Sequence, residues 1–321
     1  MTVSRGDREV IARQSLRSRG YAESHTFSIA MVFSISEESG QFLTYVLDDR
    51  AAQARLKVVP ERGGIITHWQ VQGQDVLYFD AQRFADPTQS VRGGIPILFP
   101  ICGNLPDNTY TLDGQTYTLK QHGFARDLPW RVLDRATTAA AALTLELTST
   151  AATRAVYPFD FCLTFTYQVQ GDRLVLRQRH QNRSDRPMPF STGLHPYFWV
   201  QDKSQLSFSL PATQQFDHIT QATSAFGGGF DVHADEVDVA LRPLSATQAT
   251  VHDAQRHLTL TMQWSAAYSA LVFWTVKGKD YYCLEPWSAG RNAMNTGDHL
   301  LWLDPQGVLD TEVVLTANFA A

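Results

Sequence analysis

Cysteine, net charge and long apolar runs are all scarce in this sequence, and each scarcity excludes something. Three cysteines, Cys102, Cys162 and Cys283, stand far apart and form no C-x-x-C pair. So odd and sparse a set argues against a disulfide framework and for a reducing, cytoplasmic setting. The formal charge is only −5 at pH 7, and a nucleic-acid binder needs a basic face. No apolar run approaches the roughly 20 residues of a membrane-spanning helix. Helical periodicity is nearly absent, apart from a short turn expected near Asp80 to Phe84. No linker splits the chain and no repeat of solenoid or propeller type is present. There is no G-x-S-x-G elbow and no active-thiol context, so a nucleophilic serine or cysteine is not indicated. Phosphate-cradling glycine loops, H-E-x-x-H and cysteine-rich zinc spacings are missing too. No metal site is expected.

What is present is alternation. The chain has 321 residues, of which 44% are apolar and 18% charged, enough to bury a sizeable core. AALTLELTST places Leu143, Leu145 and Leu147 on one face and Thr144, Glu146 and Thr148 on the other. FDFCLTFTYQV, QLSFSL and HLTLTMQW repeat that period of two, the signature of half-buried antiparallel strands. Asp113-Gly114, centred in TYTLDGQTYTL, signals a tight hairpin. Gly227-Gly228-Gly229 reads as a loop anchored by Phe226 and Phe230. Many short strands with turn signals and few short helices predict an all-β fold, a large antiparallel β-sandwich. One domain is expected over 31–321. Residues 1–30, rich in arginine interleaved with acids and serines, read as a flexible leader without a signal-peptide h-region. Met31 is an alternative start.

Four stretches break the alternation with dense Gly, Pro, His and Arg: VRGGIPILFPICGN with Arg92, KQHGFARDLPW with His122 and Arg126, STGLHPYF with His195, and YYCLEPWSAGRN with Glu285, Trp287 and Arg291. Each taken alone has a plain reading as a solvated loop arginine, a turn cap or a satisfied core imidazole. A carboxylate behind Tyr-Tyr-Cys-Leu is harder to dismiss, because buried charge costs several kcal/mol unless paired. Histidine plus carboxylate is the parts list of general acid–base chemistry.

RGGIPILFP, KQHGFAR, GLHPYF and CLEPW, in that order, make the chain resemble the aldose 1-epimerase (sugar mutarotase) superfamily. The likeness runs from about Leu56 to the C-terminus and is nearest the branch of glucose-6-phosphate 1-epimerases and related bacterial proteins. It implies a galactose mutarotase-like supersandwich with a sugar cleft and no cofactor. It implies His195 as general acid, Glu285 as general base, and His122, Arg92 and Arg126 as substrate contacts. A substrate aspartate maps onto Asp238, with Asp231 as the other candidate; the arginine usual after that aspartate is replaced here by Val239. The implied partner is a small sugar or sugar phosphate, neither nucleic acid nor membrane. For that chemistry His195 should be held charged by a nearby carboxylate, and Glu285 should receive at least one donor. Trp287, Trp130 and Tyr197 are candidates for stacking on a sugar face. Arg92, Arg126 and Arg291 are candidates for reading a phosphate. Two other functions stay open: a non-catalytic carbohydrate-binding or sensor protein on the same sandwich, and a glycoside-processing enzyme, which would need a second carboxyl group.

Overall fold

The alternating segments become strands, and their apolar faces meet in a shared core. The structure, a computed structural model, describes residues 32–320; the expected leader lies outside the described residues. An eight-stranded sheet runs in the order Leu206–Ser209, Gln248–Asp253, Leu258–Trp264, Val308–Phe319, Arg173–Asn182, Phe161–Gln170, Ala141–Thr148 and Arg131–Ala136. All its neighbours are antiparallel. Leu143, Leu145 and Leu147 are buried while Thr144, Glu146 and Thr148 are half-buried, as period two requires. A five-stranded sheet spanning residues 33–75 packs over Ala141–Thr148 and Phe161–Gln170.

The second large sheet carries the cleft. Its central order is Gln214–Asp217, Glu236–Leu241, Ala270–Val276, Tyr281–Trp287 and Gly193–Leu194, with Tyr197–Trp199 also paired to Tyr281–Trp287. Leu241, Leu271, Phe273, Tyr282 and Leu284 join the main core. Alternation therefore sends Asp238, Ala240, Val272, Trp274, Cys283, Glu285 and Trp287 to the opposite face. Loops cover that face, which is why every residue of Tyr281–Trp287 is buried.

The short turn lies at Ala81–Ala85, capped by the Asp80 carboxylate. The hairpin closes at Asp113-Gly114 between Thr109–Leu112 and Gln115–Thr118. The glycine loop is pinned by Phe226 and Phe230, whose rings are 5.3 Å apart, with Phe230 stacked at 3.7 Å on Phe273. A helix at Ala151–Val156 was not anticipated. It is closed by a capping box between Thr150 and Thr153, whose second threonine replaces the usual Glu or Gln signal.

Candidate active site

A cleft of about 320 Å³ opens on this covered face, lined by Arg92, His122, Arg126, His195, Asp238, Glu285, Trp287 and Arg291, with Gln121, Glu236 and Trp274 at its margins. Four chain-distant stretches thus converge. Asp231 does not join them: it is exposed and its carboxylate caps the amide of His233. Trp130 is packing, with its indole N–H on the Ala125 carbonyl and its ring 5.0 Å from Phe165. Tyr197 is buried beneath His195 rather than open to the cleft. Of the three candidate aromatics only Trp287 lines the cavity.

Glu285 sits mid-strand, so its side chain is fixed by the sheet; only 1% of the residue is exposed. Trp287, two positions on and on the same face, donates its Nε1–H to Glu285 Oε2 at 3.0 Å. His195 enters from a short two-residue strand, its amide held by the Pro96 carbonyl at 3.0 Å. Its Nε2 lies 3.4 Å from Glu285 Oε1. Tyr197 stacks on the imidazole at 4.8 Å with the planes 8° apart, which fixes the ring's tilt. Among the described residues, buried His195 Nδ1 has no hydrogen-bond partner.

The protonation pattern differs from the sequence expectation. A carboxylate neighbour should raise an imidazole, yet burial, followed by the guanidiniums of Arg126 and Arg92, pushes His195 well down. Burial and then Asp238 push Glu285 well up, against the Trp287 hydrogen bond and the pull of Arg291 and Arg126. Both directions disfavour the charged forms of the pair in the empty cleft. Sequence reasoning counted one neighbour; folding supplies three guanidiniums.

His122 adopts a left-handed backbone, φ 67°, and its ring Nδ1 accepts from the Gly103 amide at 3.0 Å. Accepting at Nδ1 leaves the proton on Nε2, so the neutral ring is a donor. Burial and then Arg126 keep it neutral, well below the ordinary histidine value. Its ring meets those of His195 and Trp287 edge-on at 5.4 and 5.6 Å.

Asp238 accepts from Arg291 Nη2 at 2.6 Å through Oδ2, while its buried Oδ1 has no partner among the described residues. The guanidinium beside this aspartate thus comes from Arg291, far along the chain, rather than from position 239. Arg92 reaches the Tyr197 hydroxyl at 3.3 Å and lies 5.0 Å over the Trp274 ring. Arg126 donates to the Gln121 carbonyl at 2.8 Å and keeps a buried, unpartnered Nε. Among the described residues neither Arg92 nor Arg126 forms an ion pair, in contrast to Arg291 with Asp238. The glycine pair after Arg92 is required sterically: at Gly94, φ 65°, a Cβ would stand 2.2 Å from the Ile66 carbonyl oxygen.

Sequence reasoning missed Glu236 and Trp274. Trp274 donates to Glu236 at 2.7 Å, lies under the Arg92 guanidinium and pairs in register with Asp238. Period two could have placed Trp274 on the face of Val272, but not beside Asp238. Among the described residues no helix is long and apolar enough to cross a membrane.

Known proteins resemble the whole of this frame. A protein of Cenchrus ciliaris, named "Putative glucose-6-phosphate 1-epimerase", is 26% identical over 248 residues, 70% of this chain and 72% of its own. A solved protein of Synechocystis sp. PCC 6803 is 45% identical, covers 89% of this chain and 100% of its own, and superposes with a TM-score of 0.86. A galactose mutarotase-like protein of Clostridium acetobutylicum shares the fold at 18% identity and a TM-score of 0.77, over 90% of this chain and 99% of its own. The pattern of the family described as aldose 1-epimerase matches residues 44–297. That span includes all four converging stretches, and the chain belongs to the aldose 1-epimerase family.

Proposed function

We propose that the protein interconverts the α and β anomers of an aldohexose, and that its preferred substrate carries a 6-phosphate. The observation that carries the reading is the buried His195–Glu285 pair, 3.4 Å apart and open to the cleft. Binding alone has no use for an acid–base couple. In the forward step the Glu285 carboxylate takes the proton of the anomeric hydroxyl. The O1 electrons form the C1 carbonyl, the C1–O5 bond breaks, and O5 takes the proton of the His195 imidazolium. Rotation about C1–C2 presents the other carbonyl face. Closure reverses each transfer, so both residues return to their starting states.

The step needs His195 as imidazolium and Glu285 as carboxylate. Sugar hydroxyls donating to Glu285 favour its charged form. His122, a neutral Nε2 donor, and Asp238, with a free Oδ1 acceptor, would orient the ring hydroxyls. Support for the phosphate comes from Arg92 and Arg126, two guanidiniums that face the cleft without a carboxylate partner. Arginine is suited to phosphate because its fork presents paired donors.

Polarimetry on freshly dissolved α-glucose and α-glucose 6-phosphate tests the reading. Wild type should speed both, the phosphate ester more. Glu285→Gln and His195→Asn should each lose about 10²–10⁴-fold, the usual worth of a positioned acid or base. Sugar binding without acceleration would instead favour a carbohydrate sensor.

A further inference from the structure

A third ligand-type side chain lies against the catalytic pair. Cys283 precedes Glu285 by two positions, so both point to the same face of Tyr281–Trp287. The pairing of Tyr197 with Cys283 brings the His195 segment over it. One ring nitrogen of His195, Sγ of Cys283 and a carboxylate oxygen of Glu285 all lie within 4.8 Å of one another, and all three residues are buried. Cys283 is a free thiol. No sequence spacing announces this set, because histidine and cysteine meet only through strand pairing.

The donors suit a borderline-soft cation. Zinc takes thiolate sulfur at about 2.3 Å, imidazole nitrogen at about 2.0–2.1 Å and carboxylate oxygen at about 2.0–2.2 Å, in a tetrahedron. Nitrogen and oxygen ligands on one such ion stand roughly 3.3–3.4 Å apart. His195 Nε2 and Glu285 Oε1 are already 3.4 Å apart. The sulfur would close in by roughly 1 Å to reach bonding distance. His122 is not a fourth ligand, since its Nδ1 is committed to the Gly103 amide. His195 and Glu285 line the cleft and Cys283 does not, so an ion would reach the site past the first two.

We propose that His195, Cys283 and Glu285 form a latent site for a divalent cation of the zinc and cadmium class, so that cation and sugar exclude each other. The ion takes Cys283 as thiolate, Glu285 as carboxylate and His195 as neutral imidazole, any proton on these groups leaving to solvent. A thiolate, a carboxylate and a neutral imidazole then leave the buried 2+ ion neutralised. A hard cation such as magnesium lacks affinity for this set. The cation site itself is independent of the function proposed above; only the exclusion of sugar rests on it.

The test uses the purified full chain freed of metal with a chelator, then titrated with Cd²⁺ or Zn²⁺. Equilibrium dialysis should find one ion bound, with a sulfur-to-cadmium charge-transfer band, and mutarotation should fall in step. Magnesium should do neither. Cys283→Ser should weaken cation binding by about tenfold or more, read by dialysis whatever its rate of mutarotation. Cys283→Ala serves if the serine variant misfolds. Absence of binding to wild type, equal binding to the Cys283 variants, or equal inhibition by magnesium overturns the proposal. If wild type accelerates no sugar, the functional reading fails while dialysis still decides the cation site.

Discussion

Trp287→Phe deletes the N–H that reaches the Glu285 carboxylate and keeps an aromatic ring against His122. Nε1 and Oε2 are 3.0 Å apart, and both residues are about 1% exposed, so no bulk water replaces the lost donor. A hydrogen bond to a charged group contributes about 1.5–3 kcal/mol. Its loss disfavours ionised Glu285, the form the forward step requires. The reactive imidazolium–carboxylate form falls by the same free energy. At about 1.36 kcal/mol per tenfold, kcat drops about 10- to 150-fold. KM changes far less, because the lost bond touches the base rather than the sugar hydroxyls. The sign in pH also follows. Disfavouring ionised Glu285 raises the pKa at which the pair loses its proton, so the alkaline limb of the rate profile moves to higher pH. Polarimetry across pH gives both readouts, with thermal unfolding as a check on folding. A folded variant with wild-type kcat and an unmoved alkaline limb would refute the reasoning.

Three further outcomes are expected. His180 is fully buried against Phe190 and Phe165, and burial lowers its pKa to about 4. The unfolded chain, with a histidine pKa of about 6.5, takes up the proton first as pH falls; this group's contribution is full above about pH 6.5 and lost by about pH 4, about 3 kcal/mol in all. Denaturant titrations at both ends of that window should show His180→Phe losing less stability than wild type. Arg92→Ala should raise KM for glucose 6-phosphate about tenfold or more, the worth of a charge-assisted hydrogen bond, with a smaller change for glucose; equal changes would remove the phosphate assignment. Gly123→Ala places a Cβ 2.2 Å from the Phe99 carbonyl oxygen at φ 70°. It should cost at least the roughly 1–2 kcal/mol of a left-handed backbone and displace His122, read as a lower melting temperature and lower kcat.

The fold was legible wherever a strand had one wet face. Leu143 to Leu147 and the Asp113-Gly114 hairpin announce themselves because alternation and turn chemistry are local. Glu285 stood out because a carboxylate inside a fully buried strand demands an explanation. His195 did not; in isolation it reads as a satisfied core imidazole, and it gains meaning only beside Glu285. Trp274, Glu236 and the Cys283 contact were hidden because they depend on strand register, which no single segment encodes. The downward push on the His195 imidazole was hidden for the same reason. Arg92 and Arg126 come from separate loops, and their joint field exists only in the folded chain.

The central claim is that the His195–Glu285 pair moves protons on a sugar ring. Proton NMR exchange between the anomers of glucose 6-phosphate tests it most directly, at equilibrium and with no coupling enzyme. The account predicts that wild type accelerates α–β exchange well above buffer and that Glu285→Gln, folded as judged by its melting curve, loses about 10²–10⁴-fold of that acceleration. Exchange as fast with Glu285→Gln as with wild type would contradict it.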